Sequence, residues 1–374
     1  MFFTIDRDLL LQNLTHVSKA LSSKVQMPGL TGIKFNICSN YILLTASNNE
    51  ISIQAKIMND NLLKIQEEGE FVVQGKYLLE IIKKTTSKDV DFETFEDNAI
   101  KILAGKSNFT LNCLQTDSFP SISFADSTLN VKLDALNLKH MIRKTTFATS
   151  VSESRPILTG VSMTCDSEKI EFVATDSFRL AKKTIKLENV KPEISVVIPG
   201  RSLDELFKIL EDTDEDVEIH CNSTKALFKY RNLLFQTRLI DGVYPNVDVL
   251  IPNKFITNVS FNKEELMSSI ERVAIFVTNE LSNIIKMGIS ATGSVELSSI
   301  TNQIGDAKDE LTPEYISDAF PFEIAFSAKH FLEALRSFDS QTITIHFTGE
   351  IKPFVVTGDK DYNLVQLILP VRAA

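Results

Sequence analysis

The sequence predicts an α+β fold of three like domains, residues 1–125, 126–252 and 253–374, each with two helices packed on antiparallel sheets. Three observations carry that prediction. A strand ending in a cap residue before a helix recurs every 128 residues, a second strand-to-helix segment recurs downstream, and an apolar residue before proline closes each copy. Repeats are sought first because a missed one misassigns the whole fold.

The opening element is a short alternating strand: Phe3-Thr-Ile-Asp6, Val131-Lys-Leu-Asp134 and Val259-Ser-Phe-Asn262. Each ends on Asp or Asn, residues whose side-chain oxygen caps a helix N-terminus. The helix that follows repeats its apolar stripe slot by slot, at Leu10, Leu138 and Leu266, then Leu14, Ile142 and Ile270, then Val17, Thr145 and Val273. Spacing i, i+4, i+7 is one face of a helix. Next come Gly32, Gly160 and Gly288, again 128 apart, each expected to open a strand-rich stretch.

The second helix follows a strand in every copy: Phe71-Val-Val-Gln-Gly-Lys-Tyr-Leu-Leu-Glu80, Val196-Val-Ile-Pro-Gly-Arg-Ser-Leu-Asp-Glu205 and Ile324-Ala-Phe-Ser-Ala-Lys-His-Phe-Leu-Glu333. The copies close at Phe119-Pro120, Tyr244-Pro245 and Leu369-Pro370, with prolines 125 apart.

Composition sets the class. The chain has 374 residues, 43% hydrophobic and 24% charged, with 39 basic against 49 acidic side chains and a net charge of -10. That mixture is globular and excludes disorder, collagen and coiled coil. No apolar run approaches the roughly 18 residues of a membrane span, and Asp6, Arg7 and Asp8 interrupt the stretch where a signal peptide needs apolar residues, so a cytoplasmic, membrane-free protein is expected. Cys38, Cys113, Cys165 and Cys221 lie far apart without C-x-x-C spacing, arguing against a disulfide scaffold and a zinc knuckle.

Net negative charge counts against nucleic acid unless the cations are segregated. They recur at matched slots. The first helix carries His16, Lys144 and Arg272, about a third of a turn off the apolar stripe. The second helix opens with Lys76, Arg201 and Lys329. A cation in a first helical turn opposes the macrodipole by roughly 0.3–1 kcal/mol, so helix stability does not explain its recurrence. Acidic residues concentrate elsewhere, in stretches such as 93–97 and 211–216, which makes the protein two-faced. A domain of this size has a diameter of about 36 Å as a sphere, so a ring of three leaves a gap of about 5 Å and a ring of six a hole of about 36 Å. Two chains supply six domains, and closed symmetry is how identical chains usually assemble.

Four stretches stand out in this frame: Thr175-Asp-Ser-Phe-Arg-Leu-Ala181, Val197-Ile-Pro-Gly-Arg-Ser-Leu-Asp-Glu-Leu206, Leu239-Ile-Asp-Gly-Val-Tyr-Pro245 with Leu250-Ile-Pro252, and Leu369-Pro-Val-Arg372. In this order and with three repeats, the whole chain resembles the bacterial DNA polymerase III beta subunit family, the replicative sliding clamps. The resemblance implies the DNA clamp fold and a head-to-tail homodimeric ring that encircles duplex DNA without sequence preference. Such a ring tethers the polymerase III catalytic subunit, is opened by a clamp loader, and docks other proteins that carry clamp-binding motifs. It implies no catalytic residues, cofactor or metal.

Carried over by position, the partner-peptide pocket comprises Arg155, Leu158, Thr175, Ser177, Phe178, Arg179, Leu180, Pro245, Leu250, His330, Leu367, Leu369, Pro370, Val371 and Arg372. The matched DNA contacts are Lys24 and Arg201, more loosely Pro156 and Ile157; the recurrent slots add Lys76, Lys144, Arg272 and Lys329. The matched ring interface sets Phe109 against Ile275 and Phe276. Ser177-Phe178 stands where Gly-His is common, Val371 where methionine is, and Ala373-Ala374 follows where a large apolar residue usually ends the chain.

The repeat independently marks one loop. Counting back 128 residues from Ser177, Phe178, Arg179 and Leu180 reaches Asn49, Glu50, Ile51 and Ser52, so the Phe-Arg-Leu run belongs to the second copy alone. A framework copied but altered at one loop points to a task for that loop. The competing reading is an enzyme with substrate between domains. His16, His140, His220, His330 and His346 show no metal-ligand spacing, no phosphate loop or nucleophile elbow is present, and no polar cluster marks an active site.

Overall fold

The structure is a computed structural model that describes every residue except 23–26, 96–97, 188–192, 278–282, 302–304, 318–320 and 372–374. It divides into two compact units. The first holds Met1–Leu138 with Asp204–Leu239, the second Lys139–Leu203 with Ile240–Ala374. The second sequence repeat is thus shared, because the sheets run past the repeat boundaries.

Among the described residues six α-helices follow the predicted pairs: α1 (Arg7–Val17), α2 (Gly75–Lys84), α3 (Ala135–Arg143), α4 (Gly200–Phe207), α5 (Lys263–Ala274) and α6 (Ala328–Arg336). The predicted caps are in place. Asp6 accepts from the amides of Asp8 and Leu9, Asn262 from those of Glu264 and Glu265, and Asp134 from that of Asn137 at 2.8 Å. Each such cap is worth about 1 kcal/mol. All nine residues of the predicted stripe are buried. Thr145 is tolerated in an apolar slot because its hydroxyl donates back to Met141 O at 2.7 Å.

In the first unit one antiparallel sheet of thirteen strands carries the fold. Its core stacks Phe3 on Phe92 and Phe35 on Phe71, with ring centroids 4.7 and 4.5 Å apart, beneath α1 and α2. Midway along the sheet, strand Leu233–Arg238 of the second repeat pairs with strand Ile51–Met58 of the first, Thr237 opposite Ile51 and Leu233 opposite Ala55.

The second unit contains a nine-stranded and a four-stranded antiparallel sheet. The nine-stranded sheet repeats that junction: strand Leu364–Ile368 pairs with strand Arg179–Lys186, Ile368 opposite Arg179 and Leu364 opposite Lys183. Leu266, Ile270 and Val273 of α5 pack in one core with Phe326, Phe331 and Phe354.

One repeat marker fails. Gly32 and Gly160 open their strands, and a Cβ on either would come within 2.6 Å of a valine methyl, on Val72 and Val197. Gly288 instead sits inside strand Ile284–Ile289, with nothing within 4 Å of such a Cβ. Ile284, opposite Ser327, occupies the place that Gly160 takes opposite Pro199. Among the described residues no helix is long and apolar enough to cross a membrane.

Candidate functional site

The altered loop is a tight turn at 175–179 between strands Lys169–Thr175 and Arg179–Lys186. Thr175 Oγ1 donates to Arg179 O at 2.6 Å and accepts from Ser177 N at 3.1 Å. Asp176 Oδ1 accepts from the amides of Phe178 and Arg179 at 2.8 and 3.0 Å. This geometry puts Ser177 at φ 77°, a left-handed conformation that explains why glycine suits the position. Phe178 follows, 62% exposed.

Arg179 is buried and holds the turn. Its guanidinium donates to Asp176 at 3.0 Å and to Phe147 O at 2.6 Å, pairs with Glu333, and lies over the Phe147 ring at 5.2 Å. Of the predicted pocket residues it is therefore a positioning group. His330 stands beside it, its ring 6.3 Å from that of Phe178 and 4.0 Å from Asp176 Oδ2. Burial, reinforced by the Arg179 charge, lowers its pKa and keeps the imidazole neutral near pH 7.

Below the turn the structure gathers an apolar cluster. Leu180 and Leu367 are buried with Val173, Val247 and Val355, and Leu369, Tyr244, Ile251 and Val365 pack against them half-buried. The Tyr244 hydroxyl accepts from Thr175 N at 3.0 Å, and burial pushes its phenol pKa up. Leu369 N donates to Phe178 O at 2.9 Å and Val371 N to Ala325 O at 2.7 Å, which fixes the terminal strand. Pro370 and Val371 are half-buried, Leu158 is buried in a 3-10 turn, and Arg155, Ser177, Pro245 and Leu250 are exposed. Arg372 lies outside the described residues. The sequence reading missed Val173, Val247 and Val355, which reach the cluster from separate strands and a connecting segment.

The cation slots divide. Lys76, Arg201 and Lys329 are each the second residue of their helix, exposed, and without an ion pair among the described residues. Lys144, expected at DNA, is instead only 3% exposed and ion-paired with Asp361 and, at 2.8 Å, with Asp339. A position off the apolar stripe had suggested solvent; it faces acidic residues of the third repeat. Arg272 is exposed, but its guanidinium engages Asp309 at 2.5 Å. Burial lowers the pKa of His16, so the equivalent slot in α1 is neutral. Pro156 is exposed and Ile157 half-buried, and Lys24 lies outside the described residues.

Two of the strands with an unpaired side among the described residues carry or adjoin the predicted interface residues. Strand Ser107–Leu114 meets strand Gly69–Gln74 only at Cys113 and Leu114, leaving 107–112 without a neighbour on that side among the described residues. Among the described residues strand Gly305–Leu311 is the terminal strand of its four-stranded sheet. Phe109 is half-buried on the first edge. Ile275 is exposed beside the second, where the Phe276 ring lies 3.8 Å from a Cβ placed on Gly305.

Known proteins share this architecture. Family models for the DNA polymerase III beta subunit match throughout: the N-terminal domain at 1–123, the central domain at 132–246 and the C-terminal domain at 248–372. The chain is 36% identical to the beta sliding clamp of Bacillus subtilis over 377 residues, covering 100% of both chains. Against that of Staphylococcus aureus strain Mu50 it is 35% identical, with coverage of 100% and 99%. The crystal structure of the DNA polymerase sliding clamp from Bacillus subtilis superposes with a TM-score of 0.95 at 36% identity, and that of the DNA polymerase III beta chain from Streptococcus pneumoniae with 0.95 at 32%, each covering 100% of both chains.

Proposed function

The chain belongs to the DNA polymerase III beta subunit family, the sliding clamps, and from that premise we propose that two copies close head to tail into a ring around duplex DNA. It is a processivity factor that tethers a polymerase, and it is not itself the catalytic subunit.

The observation that carries the ring is the repeated sheet junction. Thr237 faces Ile51 and Ile368 faces Arg179 at the two junctions within the chain. The preceding hairpins, Ser47 with Ser52, Thr175 with Leu180 and Ile300 with Asp306, make Gly305 the third member of the Ile51 and Arg179 series. The hairpins Tyr230 with Leu233 and Ala104 with Ser107 make Leu111 the counterpart of Thr237. By register these two edges are the halves of a third junction, with Gly305 opposite Leu111 and Ala307 opposite Phe109 of a second copy. Phe276, against Gly305, then meets the Phe109 strand. Strand Gly305–Leu311 carries Asp306, Lys308, Asp309 and Glu310, a net acidic set that opposes its self-pairing, whereas the Ser107–Leu114 strand carries no charge. Like charges across a sheet repel, which favours the head-to-tail pairing.

Domain boundaries near residues 125 and 252 and a cytoplasmic location accompany this reading. Lys76, Arg201 and Lys329 supply loose phosphate contacts without base readout, which suits sliding. The apolar cluster under Phe178, with Leu180, Leu367 and Leu369, receives peptides from the polymerase, the clamp loader and other partners.

The test is topological. Protein loaded with a clamp loader and ATP onto nicked circular plasmid stays bound through gel filtration and is lost when the plasmid is linearised. Retention unchanged by cutting overturns encirclement.

A further inference from the structure

The first unit contains a second copy of the turn that shapes the partner pocket. At 47–51 Ser47 Oγ donates to Ile51 O at 3.2 Å and accepts from Asn49 N at 3.4 Å. Asn48 Oδ1 accepts from the amides of Glu50 and Ile51 at 3.1 and 2.9 Å, and Asn49 stands at φ 76°. These bonds match, one for one, those at 175–179.

The backbone is the same but the lining has changed. The sheet registers place Ser52 where the pocket has Leu180, Gln236 where it has Leu367, and Arg238 where it has Leu369. Ser47, Ser52, Gln236, Lys225 and Arg238 line a cleft of about 120 Å³ here. That is well below the ~300 Å³ of a small-molecule site and leaves room for a single side chain.

Lys225 and Arg238 face each other directly across adjacent strands. Two like charges in that position destabilise a sheet. Neither has an ion-pair partner among the described residues, and Glu50, the one acid on the cleft wall, pairs with neither. An incoming anion removes that repulsion. The cleft admits one side chain and copies the backbone of the turn at the peptide pocket, so the anion it suits is the carboxylate of a peptide side chain.

We propose that this cleft is a second docking site, taking an acidic side chain of an extended partner segment with its carboxylate between Lys225 and Arg238. The analogy of a docking cleft rests on the partner-pocket reading; the anion preference rests on the Lys225–Arg238 pair alone.

The experiment is fluorescence anisotropy of the full-length protein with a fluorescein-labelled Gly-Ser-Glu-Ser-Glu-Ser-Gly peptide at low salt. Binding is expected to saturate below about 1 mM. It should weaken about tenfold or more in the Lys225→Gln/Arg238→Gln variant and for the peptide with Gln replacing Glu. Leu180→Ser, which damages the apolar pocket, should leave it unchanged. No saturation, no loss in the double variant, or loss in Leu180→Ser overturns the proposal. So does displacement of the peptide by a single-stranded oligonucleotide whose own binding needs Lys225 and Arg238. Both side chains are at least partly exposed, so the variant keeps its fold, which its thermal unfolding checks. Failure of the plasmid assay would strike the ring and leave this result standing.

Discussion

Lys144 and Asp361 form an ion pair whose side chains are 4% and 1% exposed. Asp361 Oδ2 also accepts from the amides of Asp339 and Ser340, each at 2.9 Å, and from the Ser340 hydroxyl at 2.6 Å. The pair fastens the second repeat to the third beside the shared sheet, where Gln366 Nε2 donates to Lys144 O at 3.0 Å. Removing one member leaves a buried charge uncompensated. Lys144→Met should therefore cost about 3–5 kcal/mol, seen as a lower thermal midpoint, and Lys144→Met/Asp361→Asn, which removes the second charge and keeps an oxygen for the Asp339 and Ser340 donors, should recover much of it. A double variant as unstable as the single one contradicts this account.

The same cluster sets an acid limit. Burial works to raise the Asp339 pKa, yet hydrogen bonds from Lys144 and Arg143 outweigh it and lower the value to about 2. Asp361 is lowered likewise against burial, by Lys144 and Ser340. Both carboxylates are depressed on folding, so the unfolded chain binds more protons and stability rises with pH across this window. The contribution is present above the unfolded value of about 3.9 and is lost as pH falls through the folded one. The thermal midpoint should drop between pH 4 and 2, less steeply in Asp339→Asn. Equal slopes in wild type and variant would remove the cluster from the explanation.

The separation of cation slots predicts unequal effects on DNA. Lys76→Ala, Arg201→Ala and Lys329→Ala should each reduce the slope of log K against log salt by about 0.9 for every phosphate the side chain neutralises. Lys144→Ala should leave that slope as it was, since its ammonium is paired and buried. Salt titrations of binding to short duplexes decide this, and a large slope change in Lys144→Ala would return that residue to the DNA surface.

Local chemistry was legible in the sequence, and long-range partnership was not. Cap residues and the i, i+4, i+7 stripe write a helix and its buried face into consecutive residues, so Leu10, Leu138 and Leu266 could be aligned by counting. The 175–179 loop was marked only because its Phe-Arg-Leu run departs from the repeat; that its backbone turn recurs at 47–51 was not legible, because the two copies share hydrogen bonds and not residues. Lys144 was misjudged because an angle off the apolar stripe distinguishes core from non-core and does not distinguish water from Asp361, which lies 217 residues away. Gly288 misled because the period counts residues and the structure counts strand register. Val247 and Val355 were missed because nothing local connects them to Leu180.

Phe178 and Arg179 are neighbours with opposite tasks. Phe178 is exposed at the rim of the proposed pocket, so Phe178→Ala should weaken a clamp-binding-motif peptide by about 1 kcal/mol or more with an unchanged thermal midpoint. Arg179→Ala strands Asp176 and Glu333 and should lower the midpoint as well as the affinity. Calorimetric titration beside thermal unfolding checks both. A Phe178→Ala protein of full affinity would place the peptide elsewhere on the cluster.

The ring interface is the junction with least intramolecular support. Within the chain the repeated junctions are reinforced by covalent linkage, whereas the proposed third junction rests on paired edges and on the contact proposed between Phe109 and the Ile275 and Phe276 pair. A carboxylate buried in that contact without a partner is costly, so Phe109→Asp or Ile275→Asp should shift light-scattering mass from two chains to one. Neither substitution touches the buried stripe of α5 or the stacked phenylalanines of the first unit, so each monomer should unfold cooperatively near the wild-type midpoint. The monomers should also fail to remain on nicked circles while still binding the pocket peptide. A dimer surviving both substitutions would mean that the open edges meet in another register or not at all.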